Sequence, residues 1–396
     1  MRLWHLLLRI GGHFHPTRTR HRSSRRIRHS RATCFLFREM QQTTLTRVTP
    51  LQEVQKRDGA TFASIDGWQL AQNFGNPLEE YRAIWEGVAL ADRYSFGRLR
   101  VRGKDALDLL NRLSSNKLID LAQGEGAYTV LTTNKGRIID LLLVINMGDE
   151  LLVITSPQTP KKVIEWLDTY TFGEDITVED VTEDTALLSV IGPRAGALLG
   201  TDTTPLDVYG VGHVSLQGTQ LPFIRTDALG TNTYYLLPTA FQAEQVWSTL
   251  IQAGAVAVGE DALEMVRVEQ GVPRYGHEIG EDFNPLEAGL NSSISYDKGC
   301  YIGQEVVLRL NTYKKVKQHL MGIVVEDGSP IITTRLEVDG KDAGFLTSVV
   351  DSPLLGRTLA LGYVRTKYAE TDHEIDVRIG TKLVKGKLID LPVKKD

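Results

Sequence analysis

Apolar positions in the central part of the chain switch repeatedly between the period of a strand and the period of a helix. Charged and apolar side chains alternate over 98–102, which predicts a half-buried strand. Ala106, Leu107 and Leu110 share one face of a helix predicted over 103–113. The same patterns predict further helices at 77–86, 159–171, 239–253 and 260–270, and strands at 127–132, 138–145, 151–155, 187–191, 221–226 and 233–237. Strands and helices interleaved in this way indicate an α+β body.

The pattern changes after Lys317, where helical periodicity nearly disappears and short apolar runs alternate with Gly, Asp and Pro turns. Such a pattern is typical of a small β-barrel or sandwich. The basic stretch 314–317 is the predicted linker. We therefore predict a body at 45–313 and a C-terminal β-barrel at 318–396.

Charge separates an N-terminal extension from the rest of the chain. Residues 1–39 hold ten arginines and one acid and lack helical periodicity beyond their first ten residues, so we predict a disordered basic extension. Three explanations are open: a mitochondrial transit peptide, a nucleic-acid-binding tail, or an upstream start with Met40 as the true first residue. We favour Met40, which predicts a cytoplasmic protein, whereas a transit peptide would direct the chain to the mitochondrial matrix.

Composition argues against several classes of function. The net charge is −4 despite the basic extension, so the rest of the chain is acidic, and phosphate contacts need clustered Lys and Arg. No apolar run approaches the ~20 residues of a membrane span. The two cysteines, Cys34 and Cys300, exclude a disulfide scaffold and cannot alone hold an iron–sulfur cluster or structural zinc, which use about four ligands. We expect no metal site, no direct nucleic-acid contact and no membrane.

Cys300 lies in an unusual local setting. Lys298 and Gly299 precede it, and Gly303 follows shortly before a predicted helix start. A nearby cation and a helix N-terminus both favour a thiolate, and the glycines allow a sharp backbone turn. We therefore expect an exposed, reactive thiol. The alternative is a small buried hydrophobic residue, which is the commoner role of an isolated cysteine.

The segment 298–309, called the Cys300 motif below, resembles the signature of the YgfZ family, K-G-C-Y/F-x-G-Q-E-x-x-x-R. Every specified position is filled in this chain: Lys298, Gly299, Cys300, Tyr301, Gly303, Gln304, Glu305 and Arg309. Other segments look like the aminomethyltransferase (glycine cleavage T-protein) superfamily, and together they span nearly all of 45–394. The clearest are 87–92, 103–106, 267–271 and 285–290. The resemblance implies a ring-like α+β body around a folate-binding channel, followed by a barrel.

A folate ligand needs aromatic or aliphatic side chains on both faces of its flat pterin ring. Its glutamate tail needs Arg or Lys. On segments that match the superfamily, the candidates are Tyr128, Arg225, Arg267 and Tyr275. Each also has a structural explanation. Tyr128 fits a core strand, for example, and Arg267 fits an ion pair with Glu264 on its own helix.

Two differences separate this chain from aminomethyltransferases. In those enzymes the sequence D-D-L comes shortly after the glycine of the β-hairpin. Here Leu141 follows Asp140, and successive strand residues face opposite sides, so Asp140 cannot replace an acid at 141. Aminomethyltransferases also carry a T-G-E-D-G loop whose glutamate holds the pterin edge, and Thr231 stands at that position. Aminomethyl transfer needs a carboxylate at the folate nitrogen, so these losses argue against it.

The resemblance therefore implies a tetrahydrofolate-binding accessory protein that supports iron–sulfur cluster assembly or repair, with links to tRNA-modifying iron–sulfur enzymes. Cys300 would be its reactive thiol, and Lys298 would activate the thiol or bind the folate tail. Gln304 and Glu305 would fix the turn. Expected partners are folate and iron–sulfur proteins or their assembly factors, and we expect a monomer. The rival is a folate-dependent aminomethyltransferase or demethylase with Asp140 as its acid, and a pure interaction module is the third hypothesis.

Overall fold

The computed structural model describes residues 46–394 except for 202–205, 327 and 329, so the extension predicted at 1–39 lies outside the described residues. Its helices are α1 (Gln52–Arg57), α2 (Pro77–Glu86), α3 (Ala106–Leu113), α4 (Pro160–Thr169), α5 (Ala195–Leu199), α6 (Ala243–Gln252), α7 (Glu260–Gln270) and α8 (Gln304–Thr312). None of these described helices has the length and apolar character that a membrane crossing requires.

Three sheets build the body. The small sheet consists of β1 (Arg47–Val48), β2 (Thr61–Ile65) and β3 (Trp68–Asn73), in the order β1-β3-β2. The six-stranded sheet consists of β4 (Ala89–Asp92), β10 (Leu188–Ile191), β11 (Val211–Leu216), β12 (Thr219–Thr226), β13 (Thr233–Leu236) and β14 (Val256–Ala257), in the order β11-β12-β13-β10-β4-β14. The five-stranded sheet consists of β5 (Gly97–Arg102), β6 (Gly126–Thr132), β7 (Ile138–Asn146), β8 (Leu151–Thr155) and β9 (Thr177–Asp180), in the order β6-β7-β8-β5-β9.

The remaining strands form a closed barrel at the C-terminal end of the chain. They are β15 (Gln318–Val325), β16 (Arg335–Val338), β17 (Lys341–Ser352), β18 (Arg357–Arg365), β19 (Glu374–Ile379) and β20 (Lys382–Ile389). Their order is β15-β18-β17-β16-β19-β20, and pairing of β15 with β20 closes the ring. Branched apolar side chains such as Ile323, Leu346 and Val377 fill its core. The mixed body and closed barrel confirm the predicted α+β class with a C-terminal β-barrel.

Most predicted elements agree with the structure to within a few residues. Helix α7 coincides with the helix predicted at 260–270, and Gly271 ends it in the left-handed region at φ 68°. The helix predicted at 239–253 is instead a 3-10 turn at Ala240–Gln242 followed by α6. No prediction covered β1 to β3, because exposed, half-buried and buried residues follow one another there without regular alternation.

A buried carboxylate on α7 joins the body to the barrel. Glu269 is fully buried and accepts hydrogen bonds from the Tyr81 hydroxyl at 2.7 Å and the Leu354 backbone N–H at 3.2 Å. The Ser352 hydroxyl donates to the same carboxylate. Tyr81 lies on α2, and Ser352 ends β17, so one side chain ties two body helices to the barrel. A buried carboxylate is tolerated only with such partners.

Tyr81→Phe removes one donor from this carboxylate without changing the ring. We expect the free energy of unfolding to fall by about 1–3 kcal/mol, because a buried charged acceptor loses a partner. Urea denaturation followed by circular dichroism measures the change. Tyr170→Phe is the matched control, since the Tyr170 hydroxyl makes no hydrogen bond to a described residue, and its effect should stay below about 0.5 kcal/mol. Equal effects of the two variants would contradict this role of Tyr81.

Candidate functional site

A cavity of about 160 Å³ lies inside the body. Its walls come from the five-stranded sheet, from β13 of the six-stranded sheet, from one face of α7 and from the loop over 272–279. The β2–β3 hairpin and the segments that follow β4 and β12 complete the lining. Part of the wall is apolar and part is charged. Such a cavity suits a ligand with apolar faces and a polar edge.

Strand register builds the apolar part of the wall. Tyr128 on β6 pairs with Leu143 on β7, and Leu143 pairs with Ile154 on β8. Directly paired residues of antiparallel strands share a face, so these three side chains stand in a row, and all three line the cavity. Leu141 lies two residues before Leu143, shares its face and also lines the cavity.

Asp140 points to the opposite face of β7. It is fully buried, and its carboxylate accepts hydrogen bonds from the Ser156 N–H at 3.0 Å and the Ser156 hydroxyl at 2.7 Å. The Thr159 hydroxyl and the Leu141 N–H also donate to it. Burial raises the pKa of Asp140, and these hydrogen bonds oppose the rise. The carboxylate holds the turn between β8 and α4. Ser156 lines the cavity, whereas Asp140 is not among the described residues that line it.

Helix α7 presents charged residues to the cavity, and one of them is an arginine whose donors are all used. Arg267 is 8% exposed. Its guanidinium donates to both carboxylate oxygens of Glu264, at 2.6 and 2.8 Å, and to Glu278 at 3.1 Å. The Val272 carbonyl and the Ser348 hydroxyl accept its remaining hydrogens. These pairs raise the pKa of Arg267, although burial alone would lower it.

Four further charged residues of the wall form two ion pairs. Arg274 binds Asp66 at 2.6 Å, and Arg93 binds Glu260 at 3.1 Å. Burial raises the pKa of Glu260, and the nearby Arg93 and Arg274 lower it. Together with the α7 ion pair described above, three acids balance three arginines, so this part of the wall is polar and close to neutral.

Two tyrosine hydroxyls of the cavity lack a protein partner. Tyr128 and Tyr235 both line the cavity, and neither hydroxyl forms a hydrogen bond with a described residue. Burial raises the pKa of both phenols, so both carry a proton at neutral pH. Because both residues line the cavity and their hydroxyls have no protein partner among the described residues, this pair favours a ligand with polar atoms or bound water.

Three of the four predicted folate-binding residues line the cavity, namely Tyr128, Arg267 and Tyr275. Arg225 is not among the lining residues and donates to a backbone carbonyl instead. The ion pair of Arg267 with Glu264 is the structural explanation that the sequence left open. Folate binding by any of the four stays a prediction.

The Lys298 side chain anchors the Cys300 motif to the end of α3. Its ammonium donates to the carbonyl oxygens of Asn111 at 2.5 Å, Ser114 at 2.8 Å and Asn116 at 2.6 Å. Carbonyls at a helix C-terminus carry partial negative charge and lack partners within the helix. Burial lowers the pKa of Lys298 to about 8, so the group is charged at neutral pH, and only the charged form has three donors.

Gly303 lets the Cys300 motif pack against the β6–β7 hairpin. Its φ is 84°, and a Cβ atom there would lie 2.5 Å from the carbonyl oxygen of Thr133. The Thr132 hydroxyl donates to the Ile302 carbonyl at 2.6 Å. The motif and the hairpin that forms the cavity wall are therefore packed together.

Cys300 is exposed and is not among the residues that line the cavity. It lies four residues before the start of α8. Tyr301 is buried, and its hydroxyl has no partner among the described residues. The Gln304 amide nitrogen lies 3.5 Å from the Gly299 carbonyl oxygen. Two motif side chains are exposed and make no polar contact with a described residue, Glu305 and Arg309.

Sequence reasoning missed the charged residues Asp66, Arg93, Glu260 and Arg274. The sequence did contain a signal for Glu260. This residue lies seven positions before Arg267 on a predicted helix, so the two share one face of that helix. Arg93 follows β4 and Asp66 lies between β2 and β3, and no local pattern connects the two positions.

Lys298→Met tests the anchoring role of the lysine. Three carbonyl oxygens would lose their donor, so we expect the free energy of unfolding to fall by about 2–4 kcal/mol at neutral pH, measured by urea denaturation. Lys117→Met is the matched control, because Lys117 is exposed and pairs with Asp120 at the surface, and its effect should be below about 1 kcal/mol. A loss no larger than that of the control would contradict the anchoring role.

Comparison with known proteins identifies the family. The family description "GCVT N-terminal domain" matches residues 51–298, and "Glycine cleavage T-protein C-terminal barrel domain" matches 318–395. An aminomethyltransferase of Desulfitobacterium hafniense is 30% identical over 352 residues, which cover 86% of this chain and 96% of that relative. A chloroplastic protein of Arabidopsis thaliana that is named as a transferase is 33% identical over 320 residues, or 79% of this chain and 73% of that protein.

The fold is also that of a solved structure. Aminomethyltransferase T of the glycine cleavage system from Bartonella henselae superposes with a TM-score of 0.81 at 20% identity, covering 88% of this chain and 98% of that one. At this identity the likeness concerns the fold alone. The N-terminal family match covers more than half of the chain, and the chain therefore belongs to the glycine cleavage T-protein (GCVT) family.

Proposed function

We propose that this protein is a YgfZ-type member of the GCVT family that binds tetrahydrofolate in the cavity and supports iron–sulfur cluster assembly or repair. Its clients would include tRNA-modifying iron–sulfur enzymes, and it would act as a cytoplasmic monomer. The observation that carries the proposal is the position of Leu141. This apolar side chain lines the cavity at the position where aminomethyltransferases have the second acid of their D-D-L sequence.

The residues of the cavity fit the chemistry of tetrahydrofolate. The apolar row that includes Tyr128 and Leu143 suits the faces of a pterin ring, and the free hydroxyls of Tyr128 and Tyr235 suit its polar edge. When bound, tetrahydrofolate supplies a carrier for a one-carbon unit. The residues of this chain would bind the ring, orient it and exclude water from it.

The same residues give little support to aminomethyl transfer. Transfer needs a carboxylate at the folate nitrogen to move protons and stabilise charge. The Asp140 carboxylate is absent from the cavity lining and is bound by Ser156 and Thr159. The cavity acids Asp66 and Glu260 are each paired with an arginine. This arrangement favours binding over transfer.

The position of the thiol supports a role in contact with another protein. Cys300 is exposed and outside the cavity lining, so folate in the cavity would leave the thiol accessible. Clusters are held by several cysteine thiolates, so a single thiol from this chain would act together with ligands from an iron–sulfur protein or assembly factor. The anchored Lys298 would hold the motif in place during that contact.

The second candidate is a folate-dependent aminomethyltransferase or demethylase. The names of the relatives favour it, because the Desulfitobacterium hafniense aminomethyltransferase aligns over 96% of its length. In that case an acid other than Asp140 would have to reach the folate nitrogen, since Asp140 is not among the described residues that line the cavity.

Calorimetric titration with tetrahydrofolate tests the folate proposal. We expect saturable binding with Kd below about 1 mM, which corresponds to about −4 kcal/mol. Leu141→Arg should abolish the heat of tetrahydrofolate binding, because it places a charged side chain in the apolar wall. Val48→Arg, at an exposed position, is the control and should leave that heat unchanged. Absence of saturable heat with the wild-type chain would contradict folate binding, and turnover in an aminomethyl-transfer assay would favour the second candidate.

Cys300→Ser tests the role of the thiol in cells that lack the native protein. Because Cys300 is exposed, we expect the variant to fold, with an unchanged melting temperature. We also expect it to leave the activity of tRNA-modifying iron–sulfur enzymes at the level of cells without the protein. Ser292→Ala, at another exposed position, is the control and should restore activity fully. Restoration by Cys300→Ser to the wild-type level would contradict the role of the thiol.

A further inference from the structure

The Arg93–Glu260 pair in the cavity has unused hydrogen-bonding capacity. Arg93 Nη1 donates to Glu260 Oε1 at 3.1 Å, and no other described residue forms a hydrogen bond with either charged group. Arg93 thus keeps donors on Nε and Nη2, and Glu260 keeps the acceptor Oε2. Both side chains are 14% exposed and both line the cavity. Shielded from water in this way, their free atoms gain from a ligand that pairs with them.

The other two arginines of the wall each have two carboxylate partners. All the N–H groups of the Arg267 side chain have acceptors in the protein, as described above. Arg274 binds Asp66 at 2.6 Å and lies 3.6 Å from Glu264. Among the described arginines of the cavity wall, Arg93 is the one with a single carboxylate partner within 4 Å.

A guanidinium beside a carboxylate presents a hydrogen-bond donor next to an acceptor. The matching group carries an acceptor next to a donor, as does the –NH–C(=O)– edge of a cyclic amide, or lactam. A free anion would be attracted by Arg93 but repelled by Glu260. A free cation would be attracted by Glu260 but repelled by Arg93. A neutral ring with a lactam edge satisfies both side chains.

We propose that Arg93 and Glu260 form the subsite that recognises the lactam edge of a flat heterocyclic ligand. Arg93 donates to the ring carbonyl, and Glu260 accepts from the ring N–H or a neighbouring amino group. The inference rests on the proposed function, because the pterin ring of folate carries such an edge. Glu260 would supply the carboxylate for that edge, because this chain has Thr231 at the position of the glutamate of the T-G-E-D-G loop.

Two pteridines that differ at one ring position test the subsite. Tetrahydrofolate has a carbonyl at C4, whereas its 4-amino analogue presents N–H donors there, which would face the donors of Arg93. We expect the full chain to bind the 4-oxo compound at least about 10-fold more tightly than the 4-amino compound in calorimetric titration. Equal affinity or the reverse preference would overturn the subsite.

Variants separate the two side chains. Arg93→Gln should reduce the preference for the 4-oxo over the 4-amino compound to below about 3-fold, mainly by weakening binding of the 4-oxo compound. Glu260→Gln should weaken binding of the 4-oxo compound by about 10-fold, because its ring N–H and 2-amino group lose their anionic acceptor, and should weaken binding of the 4-amino compound, which lacks that ring N–H, by less. Arg100→Gln is the matched control, because Arg100 pairs with Glu150 outside the cavity, and it should change neither affinity. A wild-type preference in Arg93→Gln would overturn the proposal.

The experiment distinguishes the subsite from the function on which it rests. A wild-type chain that binds neither compound would contradict folate binding itself. A wild-type chain that binds both equally would leave folate binding standing and overturn only the lactam subsite. If Arg93→Gln does not fold, the wild-type comparison still decides. Arg93→Lys, which keeps a cationic donor, should then retain part of the preference, and its complete loss there would count against a donor role.

Discussion

The alternation of β7 is the constraint on which the cavity depends. Leu141 and Leu143 face the cavity, whereas Asp140 and Leu142 face the layer that contains α3 and α4. A one-residue slip would turn every side chain to the other face and would bury the Asp140 carboxylate without the four hydrogen bonds that it now accepts. The register therefore fixes an apolar group, not an acid, at this point of the wall.

The charged part of the wall follows a second rule, which is pairing. Each acid of the wall has an arginine partner, so charges are held close together in a space largely shielded from water. Such a wall favours hydrogen bonding to a neutral polar ring over proton transfer by a free carboxylate. The exposed Cys300 lies outside this cavity, on a segment that Lys298 and Gly303 fix to α3 and to the β6–β7 hairpin. The cavity and the thiol thus lie on separate surfaces of the protein.

Local patterns predicted much of the fold, because helices such as α7 and strands such as β8 carry their period in a few adjacent residues. The site was predicted only in part. Tyr128 and Tyr275 followed from family resemblance, but Arg93 reaches the cavity through strand order, which no local pattern records. The anchoring contacts of Lys298 join residues 182 to 187 positions apart, so the sequence suggested only that Lys298 activates the thiol or binds the folate tail.

A crystal structure of the chain with bound tetrahydrofolate tests the central claim most directly. We expect the pterin ring inside the cavity, against Tyr128 and Leu141, while the Asp140 carboxylate stays bound to Ser156 and Thr159 at the turn between β8 and α4. Folate bound outside the cavity, or an Asp140 carboxylate turned towards the folate nitrogen, would contradict it.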